Sequence, residues 1–232
     1  MKKFFICLFV CVLCLVFVGC GQQEKKDVVN GGDDIFSLKE SAHYVYTDNL
    51  DQMLSRGNHT IIKCKVVSKS EPRVIDNFGK MTDADLYSES QKNEAIANIK
   101  TPYQLYVQEV FLGENVKVGE KITFNARYGY IEKAKASYSV ENYPELEVGK
   151  EYILFLSSMV IDDKLVYYFS FPPANAIEIN LEKNTFVCVD EIGESVFDEY
   201  DSNFKLLIDD LKNHISENKY ESEPDYLKSS RK

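Results

Sequence analysis

Apolar residues follow several different rhythms along this chain, and each rhythm predicts a different element. From Phe4 to Val18 they run unbroken behind Lys2 and Lys3. Between Thr60 and Ser68 they alternate, with Ile62, Cys64 and Val66 set against Lys63 and Lys65, which predicts a half-buried strand. Tyr103, Leu105 and Val107, then Val110 and Phe111, predict a second strand ended by Gly113; the change of parity after Val107 predicts a bulge. Ile122, Phe124, Ala126 and Tyr128 give a third. Tyr152 to Met159 is almost continuously apolar, the pattern of a central strand buried on both faces. Asp162-Asp163 then makes a turn, and Val166 to Phe171 returns antiparallel before Pro172-Pro173 stops it. Ala176 to Leu181 and Thr185 to Val189 form a hairpin around Glu182-Lys183-Asn184. Two stretches have helical spacing instead. Leu50, Met53 and Leu54, with Thr47-Asp48 before them and Gly57 after, predict a short capped helix. Phe204, Leu207, Ile208, Leu211 and Ile215 predict an amphipathic C-terminal helix whose acidic outer face favours packing on the strands. Residues 82–99 support only a loosely packed helix or long loop.

These elements predict a mainly β fold with flanking helices, a small antiparallel barrel or sandwich. Residues 1–19 read as a signal segment, 20–34 as a flexible tether reaching about 20 Å, 35–218 as a single β-rich domain and 219–232 as a disordered tail. The glycines of VKVGEKITF and LEVGKEYILF, Gly119 and Gly149, predict two similar turns that each launch a strand through a positive backbone angle. With YQLYVQEVFLG upstream, the order of segments over roughly residues 60–190 resembles the netrin-like, or tissue-inhibitor-like, variant of the OB barrel found in bacterial surface proteins. The resemblance implies an OB-like barrel. Tissue-type inhibitors act through a cysteine-rich N-terminus with a C-x-C pattern that this chain lacks, so their mechanism does not carry over.

Charge changes the picture at the N-terminus. The 232 residues carry a net −10, and removing residues 1–19 takes away Lys2 and Lys3, leaving 25 basic against 37 acidic side chains, or −12. So acidic a chain repels phosphate backbones, which argues against nucleic acid as a partner. The basic pair, the apolar run and small Gly19 before Cys20 have the form of an export signal, too short for a spanning helix. Phe17-Val18-Gly19-Cys20 resembles the lipobox of bacterial lipoproteins, with Phe17 where that family usually has Leu. The resemblance implies a diacylglyceryl group on the Cys20 thiol, cleavage before it, and a mature protein held on the outer face of the cell membrane by acyl chains such as palmitate.

Cys7, Cys11 and Cys14 leave with the signal, so Cys11 and Cys14 are no redox pair. That leaves Cys64 and Cys188, either a disulfide, which an extracytoplasmic setting permits, or two buried thiols. His43, His59 and His214 lack metal-ligand spacing, and no nucleophile elbow, phosphate loop or dinucleotide fingerprint occurs. No cofactor, metal or catalytic motif is expected. Carboxylate pairs such as Asp83 with Asp85, Asp162 with Asp163 and Glu145 with Glu147 are what abundant acids give by chance. Asp198, Glu199, Asp201 and Asn203 suit an acidic helix start better than a calcium loop, which needs a glycine and a distal glutamate. Among 15 tyrosines and no tryptophan, Tyr128, Tyr130, Tyr138 and Tyr143 cluster in a loop-rich region and form the candidate ligand platform; ordinary strand tyrosines are the other reading. The sequence thus points to a lipid-anchored surface module without enzymatic activity that binds an envelope protein or glycan. The alternatives are a cell-wall polymer hydrolase using paired carboxylates and a peptidase-inhibitor-like protein.

Overall fold

The computed structural model describes residues 27–31, 35–40, 49–55, 60–75, 81–82, 96–161, 164–169, 175–189 and 194–218. The expectations for residues 1–19, Cys20, His43, His59, Asp83, Asp85, Asp162, Asp163, Pro172, Pro173 and the tail 219–232 lie outside them. In chain order the elements are β1 (Asp27–Gly31), β2 (Ile35–Glu40), α1 (Leu50–Ser55), β3 (Thr60–Lys69), β4 (Arg73–Ile75), β5 (Met81–Thr82), β6 (Ile99–Leu112), β7 (Lys121–Ala126), β8 (Gly129–Ile131), β9 (Ala136–Val140), β10 (Glu151–Ile161), β11 (Lys164–Tyr168), β12 (Ala176–Asn180) and β13 (Thr185–Cys188), then a 3-10 helix (Glu194–Tyr200) and α2 (Phe204–Asn218). The chain is mainly β, with its C-terminal helix where the periodicity puts it.

Five strands close into a ring. β3 pairs with β6 and β10, β6 with β7, β7 with β11, and β11 with β10. Four of these pairings are antiparallel, but β7 and β11 meet in parallel at Phe124 and Tyr167, where an antiparallel barrel was expected. The ring closes because alternate residues of every strand turn inward: Ile62, Cys64 and Val66 from β3, Tyr103, Leu105 and Val107 from β6, Ile122, Phe124 and Ala126 from β7, Tyr152, Leu154 and Leu156 from β10, and Tyr167 from β11. Lys63 faces Glu109 while Cys64 faces Val107, so Gln108 is the extra residue of a bulge, at the parity change between Val107 and Val110.

The other face of β10 belongs to a second core. Ile153 and Phe155 lie with Ile61 of β3, Ile177 and Ile179 of β12 and Phe186 of β13 beneath Leu50, Met53 and Leu54 of α1, Phe197 of the 3-10 helix, and Leu207 and Leu211 of α2. Residues 152–158 are therefore buried without a break, and no residue of that stretch is polar except the two serines. α1 is capped by Asn49, whose Oδ1 accepts from the Gln52 amide at 3.0 Å; Thr47 and Asp48 lie outside the described residues. The helices cover only part of the outer sheet face; further along, Lys65, Tyr106 and Lys121 remain exposed.

The two V-G turns are the same device used twice. The Gly119 amide donates to the Val107 carbonyl at 2.9 Å and the Val107 amide to the Glu120 carbonyl at 3.0 Å; the Gly149 amide donates to Val66 at 2.8 Å and the Val66 amide to Lys150 at 3.0 Å. Both glycines have positive φ, 89° and 92°.

Two expectations fail here, and an alternative left open is decided. Residues 27–31, assigned to a structureless tether, form β1 and pair with β2 from Asp27↔Lys39 to Gly31↔Ile35; the β-branched Val28-Val29 pair suits that ladder. The region read as loops around the tyrosines holds β8 and β9, and β9 pairs in parallel with β2, giving a small sheet ordered β1-β2-β9-β8. Of the two readings of Cys64 and Cys188, the structure has the buried thiols and not the disulfide. Cys64 points into the ring with Tyr152, whereas Cys188 pairs with Ile177, which pairs with Ile153 on the opposite face. The sheet itself separates the two sulfurs.

Candidate functional site

The small sheet meets the ring through a third core, Leu38, Val74, Ile96, Ile99, Ala136, Tyr138 and Val140, and a linked group of polar side chains borders it. β6 begins there and alternates: Ile99 turns into this core, while Lys100 is only partly buried beside it. Arg127 follows β7 directly, Glu40 ends β2, and Tyr138 stands in the middle of β9. Arg127 Nη2 donates to Glu40 Oε2 and to the Tyr138 hydroxyl, each at 2.8 Å, and the Tyr138 hydroxyl also donates to Glu40. Lys100 Nζ sits 5.3 Å from the Tyr138 ring centre and donates to the Ala97 carbonyl at 3.0 Å. Burial, with Arg127 close by, brings the Lys100 amine down to about 7, and Glu40 offsets this only in part. Burial and its bond to Glu40 push the Tyr138 phenol up, so it stays a donor.

A second group lies at the neighbouring rim. The Tyr103 and Tyr128 hydroxyls are hydrogen-bonded to each other, and Lys69 Nζ stands 5.7 Å and 5.4 Å from the two ring centres while holding Glu145 at 2.6 Å. Burial, then the Tyr103 bond, raises the Tyr128 phenol. Tyr143 packs edge-on against Tyr128 at 5.9 Å and against Phe169 at 5.4 Å. Thr101 Oγ1 donates to the Tyr128 carbonyl at 2.5 Å, and Gly129 passes so close to Pro72 that an added Cβ would lie 2.5 Å from the proline Cβ.

The four tyrosines of the expected platform are thus not one exposed face. Tyr128 and Tyr143 come together, but as partly buried packing against the ring; Tyr138 is 2% exposed in a different core, and Tyr130 alone is solvent-facing, at 45%. The correction has a simple cause: β8 and β9 pair Tyr130 with Ser137 and Tyr138 with Gly129, which puts Tyr130 and Tyr138 on opposite faces of the small sheet, while Tyr128 and Tyr143 lie outside both strands and pack on the ring core. Glu40, Lys100 and Arg127 carried no sequence signal, since each is a polar residue beside an apolar one in an ordinary strand pattern.

Two of the acidic residues singled out in the sequence are held by lysines. Glu145 and Glu147, the pair seen in the sequence, bind separate lysines, Lys69 at 2.6 Å and Lys150 at 2.7 Å. Asn203 caps α2, accepting from the Lys205 and Leu206 amides at 3.1 and 3.3 Å. Asp198 and Asp201 line a cavity of about 310 Å3 with Glu194, Phe186, Cys188 and Phe197. Among the described residues no group of three or more His, Cys, Asp or Glu is placed to hold a metal ion. Chemically, the junction is a clamp that fixes the small sheet to the ring by ion pairing and ring contacts. No known family's sequence profile matches the chain, and no curated protein does.

Proposed function

We propose that this chain is a lipid-anchored lipoprotein on the extracytoplasmic face of the cell membrane, where its domain serves as a binding module rather than an enzyme. The observation that carries the reading is Phe17-Val18-Gly19-Cys20 closing the apolar run that begins at Phe4. On this reading the position of β1 limits the reach of the anchor. Seven residue steps separate Cys20 from Asp27, at most about 3.5 Å each, so the small sheet stands within roughly 25 Å of an acylated Cys20. On this reading Lys25 and Lys26 lie between the lipid surface and an acidic body, where they favour anionic headgroups. The large side chains buried inside the ring, Tyr103, Phe124 and Tyr152 among them, favour recognition by outer surfaces.

Metabolic labelling with a fatty acid, followed by fractionation, tests it. The expected result is label on the wild-type chain in the membrane fraction, and loss of both label and processing in Cys20→Ala. A wild-type chain that stays unlabelled in the cytosol with residues 1–19 attached would overturn the proposal.

A further inference from the structure

Glu151, Lys65, Tyr106 and Lys121 are direct cross-strand partners on β10, β3, β6 and β7, one continuous rung across four of the five ring strands. All four point outward, because Tyr152, Cys64, Val66, Leu105, Val107 and Ile122 beside them point into the ring. Helix α2 stops short of this rung: its Lys212 pairs with Glu109 at 2.9 Å and lies over Phe111, nearer the covered half. Tyr106 is 40% exposed and Val67 is 41% exposed, with Lys65 and Lys121 both exposed alongside. The rung's acid is already neutralised, since Glu151 holds Lys63 at 3.6 Å and accepts from Gln108 at 2.7 Å. Among the described residues no ion pair joins Lys65 or Lys121 to a carboxylate. A chain of net −12 after residue 19 therefore keeps two uncommitted cations flanking one open aromatic ring.

The geometry points to this rung as a docking surface for a linear acidic polysaccharide with a carboxylate on its sugar rings, an inference that rests on the surface-module reading and names the ligand class. A sugar ring laid across the strands places its C–H face on Tyr106, and carboxylates to either side meet Lys65 and Lys121, which stand two strand spacings apart, roughly 9.5 Å. Gln104 and Thr123, bonded to each other at 2.8 Å on the next outward row, offer hydroxyl partners. A peptide adding itself as a strand needs unpaired main chain, and β3, β6 and β7 are hydrogen-bonded to one another here, so only side chains are on offer. That favours a polymer read through ring faces and charges.

The test is a fluorescence-anisotropy titration of the full chain in detergent micelles with labelled polygalacturonate, with neutral dextran and polyglutamate as comparison polymers. Saturable binding that weakens with salt is expected for polygalacturonate. Lys65→Gln with Lys121→Gln should weaken it roughly tenfold, and Tyr106→Ser should weaken it while Tyr106→Phe keeps it. Lys133→Gln with Lys183→Gln should leave it unchanged. Unaltered thermal unfolding of each variant establishes that the surface, not the fold, changed. No binding to polygalacturonate, equal binding to polyglutamate, or an equal loss from the remote lysine pair would each overturn the inference. Fatty-acid label on Cys20 without polymer binding removes this inference and leaves the anchored module standing; polymer binding by a chain that takes no label does the reverse.

Discussion

Arg127, next to the end of a ring strand, and Glu40, at the end of a small-sheet strand 87 residues earlier, are joined by a 2.8 Å ion pair that Tyr138 completes from a third strand. Their side chains are 42% and 20% exposed, so the pair is neither a free surface bridge nor a sealed one. Glu40→Gln removes the carboxylate that, among the described residues, pairs with Arg127, and leaves the half-buried guanidinium without it. It should cost about 1 to 2 kcal/mol, read as a lowered denaturant midpoint. A midpoint within error of wild type would mean the clamp holds nothing.

Lys100 gives the protein a pH dependence of stability. An unfolded lysine titrates near ~10.4, while the folded Lys100 does so at about 7. Between those values the unfolded chain binds the proton and the folded chain does not, so stability rises with pH across that window and this contribution is flat below it. Lys100→Met should remove the slope and raise stability at and below neutrality. Denaturant midpoints over that range decide the matter, and parallel pH curves for the two proteins would count against it.

How much of this was legible in the sequence depends on how far apart the partners are. The ring strands were legible because each alternates within itself, and even the Gln108 bulge left a trace in the parity of Val107 and Val110. Tyr152 to Met159 announced a strand covered on both faces. The small sheet was not legible: its central pairing joins β2 to β9 in parallel across some 100 residues, and one of its contacts is a Ser137 to Ser37 hydroxyl bond of 2.9 Å. Serines and tyrosines in short strands have little apolar contrast, so alternation gave no warning. The clamp was invisible for the same reason, since a sequence shows Glu40, Lys100 and Arg127 as three unrelated surface charges.

The glycines separate two causes of strain. Gly149 has φ of 92° and open space around a virtual Cβ, so Gly149→Ala should cost only the backbone term, about 1 kcal/mol. Gly129→Ala drives a methyl to 2.5 Å from Pro72, whose ring cannot swing aside, and should cost more. Thermal unfolding of the two variants gives the ranking, and the opposite order would refute the steric account.

Neither Cys64 nor Cys188 should react with a thiol reagent in the folded protein, because both are buried and burial pushes the Cys64 thiol up, away from its reactive thiolate. Both should label in denaturant, and the intact mass between residues 27 and 218 should be indifferent to reductant. Rapid labelling under native conditions would show that the sheet does not shield them.

Tyr103, Tyr152, Phe124, Phe169 and Leu154 meet in the middle of the ring, each nearly or wholly inaccessible. A hollow barrel can be a vessel, ferrying a lipid or pigment inside its walls; these side chains take up the middle of this one. Whatever such a protein captures stays outside the walls, so its grip can be tuned by changing surface residues one at a time without reopening the question of how the interior packs.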